Sequence, residues 1–262
     1  MKNQRETELT GNDSFPRDEQ TMLEQETRAK WETLRPSFLA WAAQHGESPS
    51  DFDWIVDAQV ERARVNYQYE RAERELYRLS TCQDQIRPKD AASLKTLLET
   101  DPDEGPMQRY FEDNPNYLVQ VITNGRGCCQ LSKKRLGAEY VTDFLIPERS
   151  SIGIEWHAVE IESPRSNEHW VDGNPAKPLN VAIGQIRDWR QWLRDNLDYA
   201  RRPKEQNGLG LVGIDDRVQG HIIIGRRHEY PERFNNFRRD MGNRESIIIH
   251  SYDWLIDIAL VN

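Results

Sequence analysis

The segments Glu139-Tyr140-Val141-Thr142-Asp143-Phe144-Leu145-Ile146, Glu155-Trp156-His157-Ala158-Val159-Glu160-Ile161-Glu162-Ser163-Pro164 and Ala182-Ile183-Gly184-Gln185-Ile186-Arg187-Asp188-Trp189 decide how this chain is read. The first two have the composition of strands, and the third has the threes-and-fours spacing of a helix. One acid lies on the first strand, two on the second and a glutamine on the helix. If the strands form a hairpin turning at Ser151-Ile152, Asp143 stands opposite Glu160, because both are equally far from the turn. Opposed side chains have Cβ atoms roughly 5 Å apart. Two carboxylates so placed repel unless a cation lies between them, and Mg²⁺, with oxygen ligands at about 2.1 Å, fits that gap. Period-two alternation puts Glu162 on the face of Glu160, about 6.5 Å further along. The alternative is that Glu160 and Glu162 form the wet face of an amphipathic strand. Trp156 and Ala158 share that face, so it is not simply wet. His157 points the other way and reads as a packed or surface residue.

Working outward, 262 residues suffice for a large domain with a smaller appendage. No apolar run approaches the roughly 20 residues of a membrane span. Met1 to Asp13 is polar, with no h-region of a signal peptide, so the expected location is cytoplasmic. Cys82, Cys128 and Cys129 lack the CxxC spacing of a zinc site, and an odd count suits a reducing compartment. The net charge is −9, but it is uneven: residues 1–60 carry 6 Lys/Arg against 12 Asp/Glu, and residues 200–250 carry 10 against 7. Any nucleic acid is therefore expected toward the carboxyl-terminal part.

Residues 1–16 read as a disordered polar tail. Helical periodicity then runs from Asp18, is interrupted at Pro36 and at Gly46 to Ser50, and resumes as a long charged helix to about Leu79. Its apolar stripe is sparse, so the charged face is either solvated or a surface for self-association. With a short helix from Ala91 to Thr100, residues 17–100 form a helical regulatory or oligomerisation module, and 103–262 a second domain. In that domain Pro106 to Asn114 reads as a helix stopped by Pro115, and Tyr117 to Thr123 as a strand. The 16-residue loop Ser163 to Pro178 follows the acids, then a helix from Asn180 to about Ala200. The strand Gly220 to Gly225, a helix from Pro231 to Asp240, the strand Ser246 to His250 and a closing helix Tyr252 to Leu260 complete it. Strands alternating with helices indicate an α/β fold with a mixed sheet flanked by helices.

Asp143, Glu160-Ile161-Glu162-Ser163-Pro164 and Leu179 to Trp189, with the helix Met107 to Pro115, the strand end Ile224-Gly225-Arg226 and the final Ile249 to Leu255, resemble the carboxyl-terminal domain of Shedu anti-phage defence proteins. That family is a branch of the PD-(D/E)xK restriction-endonuclease-like superfamily. The resemblance spans about Glu104 to the carboxyl terminus. It implies a metal-dependent DNA endonuclease using Mg²⁺, or Mn²⁺, in anti-phage defence. It further implies DNA as partner and a homo-oligomer, a tetramer. Asp143 and Glu160 match the superfamily's metal-binding acids, and Gln185 a glutamine positioning water or phosphate. Glu162 stands where the superfamily usually has lysine, so it is expected on the metal or as the base that activates water.

That departure implies steep metal dependence and leaves a second reading open: a catalytically inactive nuclease-like module that binds DNA or a phage protein, carried on a helical oligomerisation scaffold. Glu104 is either an acid of the site or a solvated helix start. Lys177, in the loop before the helix, is a candidate replacement cation. His169 and Trp170 in the long loop suit base stacking or a protein contact. Arg201, Arg202, Lys204, Arg226 and Arg227 are the candidate phosphate contacts, with Arg233, Arg238 and Arg239 behind them. Scattered surface arginines are the plainer alternative.

Overall fold

A computed structural model describes residues 17–78, 86–166, 170–171, 174–227 and 232–261. The polar tail, Cys82 and His169 lie outside them. The chain divides into two compact units, Met1–Arg71 and Ala72–Asn262.

In the first unit α1 (Arg17–Glu32), α2 (Arg35–His45) and the start of α3 (Asp51–Arg78) are helical as expected. Pro36 sits in the first turn of α2, where its missing N–H costs nothing, so the break falls just ahead of it. α1 and α3 run antiparallel, joined by Tyr67 to Glu19 at 2.9 Å and Arg28 to Asp57 at 2.7 Å. Phe52 and Val56 are buried on the stripe, as is Ala42 of α2.

The second unit holds a five-stranded sheet in the order β1-β4-β5-β8-β9. β1 (Leu131–Ser132), β4 (Phe144–Ser150) and β5 (Gly153–Ile161) are antiparallel neighbours. β8 (Gln219–Ile223) and β9 (Ile247–His250) add in parallel. Parallel neighbours need crossovers. These are α7 (Lys177–Asp195) with α8 (Leu197–Arg201), and α9 (Glu232–Glu245).

One face of the sheet packs on α7: a Cβ added to Gly220 would lie 2.8 Å from Ile186. The other face, with Phe144, Ile146, Val159, Ile161 and Ile223, forms a core with α4 (Pro88–Glu99), α5 (Glu104–Asp113), α6 (Pro115–Thr123) and α10 (Tyr252–Val261). α4, read from the sequence with the amino-terminal helices, gives Ala91, Leu94 and Leu98 to this core.

Tyr117 to Thr123 is a helix, not a strand. Pro115 opens α6 as its first residue instead of merely ending α5, and the apolar run is buried on most sides. The expected strand 139–146 is two pieces. β2 (Arg135–Leu136) pairs with β3 (Tyr140–Val141), and β1 pairs with β4, on one continuous register: 136 faces 140, 135 faces 141, 132 faces 144 and 131 faces 145. The ladder is interrupted where Lys133 adopts φ +48°. Within the loop 163–178, β6 (Trp170–Val171) pairs with β7 (Asn174–Pro175), and Lys177 is already the first residue of α7.

On the core face, a polar row crosses the strands. Arg126 Nη2 lies 2.5 Å from Glu148 Oε1, and Glu148 Oε2 lies 2.7 Å from His157 Nε2. His157 Nδ1 is 3.0 Å from His221 Nε2, and His221 stacks on His250.

Candidate metal centre

The β4–β5 pairing runs from Ser150 opposite Gly153 to Phe144 opposite Val159. One residue further, that register sets Asp143 opposite Glu160, as the turn position implied. The same count along the β1–β4 ladder sets Lys133 opposite Asp143, and the Lys133 N–H donates to the Asp143 carbonyl at 2.8 Å. A row therefore runs lysine, aspartate, glutamate, from the residue after β1 through the residue before β4 to β5.

Asp143 is 7% exposed. Its Oδ1 accepts from Lys133 Nζ at 2.5 Å, and its Oδ2 from the Ile161 N–H at 3.0 Å. Glu160 is 5% exposed, and its Oε2 has no hydrogen-bond partner among the described residues. Burial, with the Asp143 and Glu162 charges behind it, drives the Glu160 carboxyl far above the ordinary carboxylate range. Glu162 extends β5 by one hydrogen bond, from its N–H to the Ile223 carbonyl at 2.9 Å. Burial raises its carboxyl to about 7, with Glu104 and Asp143 adding to the effect.

Glu104 opens α5, whose N-cap Asp103 accepts from the Glu104 N–H at 3.0 Å. Its carboxyl is raised by burial and by Asp143, so this partly exposed residue belongs electrostatically to the cluster. Tyr252, fully buried, donates its hydroxyl to the Glu162 carbonyl at 2.8 Å. Burial raises its phenol well above the ordinary range, and all four acids push the same way.

Gln185 is half-buried on α7, beside the core stripe Ala182, Ile186, Trp189 and Leu193. Its Oε1 is buried with no partner among the described residues. α7 lies against β5, the strand that carries Glu160.

The donor set is all carboxylate oxygen, which suits a hard ion such as Mg²⁺ or Mn²⁺. A bare, buried Glu160 oxygen among excess negative charge is what a divalent ion would satisfy. Among the described residues, no three acids, histidines or cysteines are yet close enough together to grip one ion. The acids fit the ion in chemistry, while Asp143 is held by the lysine.

Lys133 escaped the sequence reading. Its signal was the β1–β4 register, which a two-residue strand and a left-handed kink conceal. Lys177 is exposed at the start of α7. His157 is buried on the core face, as one of its two expected placements.

Most of the candidate phosphate contacts are engaged within the protein. Arg226 pairs with Asp253 at 2.7 Å, Arg227 with Asp257, Arg202 with Asp198, and Arg201 donates to the Ile214 carbonyl at 2.5 Å. Arg238 donates to the Ile249 carbonyl at 2.6 Å, and Arg239 to Asn236 at 3.2 Å. Lys204 is exposed.

A search among curated proteins returned no match. The family model of the carboxyl-terminal region of Shedu protein SduA matches residues 101–256, a span that holds the sheet, all four acids, Lys133 and Gln185. Covering more than half of the chain, that match makes this protein a member of the Shedu SduA family.

Proposed function

We propose that the chain is a divalent-metal-dependent deoxyribonuclease of PD-(D/E)xK type, acting in anti-phage defence. Family membership supports the defence role. The observation that carries the chemistry is the opposition of Asp143 and Glu160 with a buried, unpartnered glutamate oxygen.

Asp143 and Glu160 would hold Mg²⁺ or Mn²⁺, with Glu162 as a further oxygen donor. Bound there, such an ion lowers the pKa of a water, polarises a phosphoryl oxygen and offsets charge on the leaving oxygen. Glu162, beside the ion and kept ionised by it, would be placed to take the proton of the attacking water. Gln185 offers an amide with an unsatisfied oxygen to orient water or phosphate. Lys177 and Lys204 are the exposed cations from which DNA contact is expected.

The test is incubation of the full chain with linear and circular DNA in Mg²⁺, Mn²⁺ or EDTA, beside Glu160→Ala. Cleavage by the wild type in metal alone, and none by a folded variant, is expected. Cutting in EDTA or by the variant overturns the assignment. Salt-sensitive DNA binding without cleavage in any metal favours instead an inactive nuclease-like module, a reading supported by Glu162 at the usual lysine position.

A further inference from the structure

We infer that Lys133 is a displaceable internal counter-ion: its ammonium occupies the cation's place on Asp143 and has to swing away before a divalent ion is held there. The inference deepens the nuclease reading and rests on it.

Three observations converge. Lys133 Nζ lies 2.5 Å from Asp143 Oδ1, and with the Ile161 N–H on Oδ2 both oxygens of that carboxylate are engaged. An ammonium and a divalent ion brought to the same carboxylate oxygen repel each other, so the two compete for Asp143 Oδ1. Next, the Lys133 side chain is 47% exposed, whereas that of Asp143 is 9% exposed. The lysine can leave along its solvent-facing stem while the aspartate stays. Finally, Glu160 Oε2 is bare beside it, so one ligand of a divalent ion is waiting while the other is covered.

The backbone supports this placement. Lys133 adopts φ +48°, a conformation uncommon for a residue with a Cβ, and the ladder is interrupted at that residue. Its neighbour Lys134 bonds instead to the Leu209 carbonyl at 3.0 Å, so the two adjacent lysines serve different partners. The Lys133 charge also bears on Glu160 and Glu104. It is thus a cation shared by the cluster, in a chain whose second strand carries Glu162 and no lysine.

Mn²⁺ affinity of the full chain, read by electron paramagnetic resonance and by titration calorimetry, tests this with Lys133→Met and Lys133→Arg. Methionine keeps an unbranched stem without charge, and arginine keeps the charge. The expectation is that Lys133→Met binds Mn²⁺ at least about tenfold more tightly than the wild type, a difference of about 1.4 kcal/mol, while Lys133→Arg does not tighten. Far-ultraviolet circular dichroism and the melting temperature establish that each variant is folded. Unchanged or weaker Mn²⁺ binding by folded Lys133→Met overturns the counter-ion role and leaves the nuclease reading standing. Absence of Mn²⁺ binding by both wild type and Lys133→Met, or undiminished binding by Asp143→Asn, overturns the metal centre and the counter-ion with it.

Discussion

Glu160→Gln is expected to make the metal-free protein less sensitive to rising pH. Glu160 is 5% exposed and stands among like charges, so the folded state keeps it protonated at neutral pH. The unfolded chain ionises it near the ordinary value of 4.5. Between those values the folded protein holds one more proton than the unfolded chain, so stability falls as pH rises, by about 1.4 kcal/mol per pH unit. Below the unfolded value both states are protonated and the penalty is absent. Glutamine has the shape of the protonated acid, keeps a donor for Asp143 and does not titrate. The variant and the wild type should therefore be nearly equal at pH 5, with the variant ahead by up to about 3 kcal/mol at pH 7. Glu162 titrates in the same direction, but it is present in both proteins and cancels from the difference. Urea unfolding in EDTA at half-unit pH steps, extrapolated to water, measures the effect. A difference that stays flat from pH 5 to 7.5, or a variant that loses ground as pH rises, would refute the protonated, buried Glu160.

Tyr252→Phe removes the hydroxyl that donates to the Glu162 carbonyl at 2.8 Å; it should cost about 1–3 kcal/mol in urea unfolding, and an unchanged midpoint would count against that bond. Leu94→Ala empties a fully buried position where α4 meets the core under the sheet. A loss of about 2–5 kcal/mol is expected in the transition followed by near-ultraviolet circular dichroism, and no change there would place α4 outside that core.

The site was half legible in the sequence, for reasons that differ by residue. Asp143 and Glu160 could be paired because the hairpin turns at Ser151-Ile152 with no bulge, so counting from the turn reaches both acids. The core stripe of α7 was legible because a long amphipathic helix repeats its pattern many times. Tyr117 to Thr123 misled because a short, mostly apolar run carries neither period and has the length of a strand, and only the leading proline argues for helix. Lys133 was hidden because its position depends on a strand of two residues pairing with one already assigned. The basic residues are a different case: charge is visible in a sequence, but the pairing of Arg226 and Arg227 with Asp253 and Asp257 is a tertiary fact.

The row of Glu148, His157 and His221 bears on how securely the two acids are aligned. The Glu148 carboxylate accepts from the N–H of His157 Nε2, and His157 Nδ1 then accepts from His221 Nε2. That order fixes one tautomer per ring and laces β4, β5 and β8 together from the side of the sheet that Glu160 does not face. A slip of β5 by one residue would turn His157 away, strand the Glu148 carboxylate in the interior and separate Asp143 from Glu160 at once. The histidines thus act as a registration pin, and the spacing of the acids is set from behind, by side chains on the opposite face of the sheet.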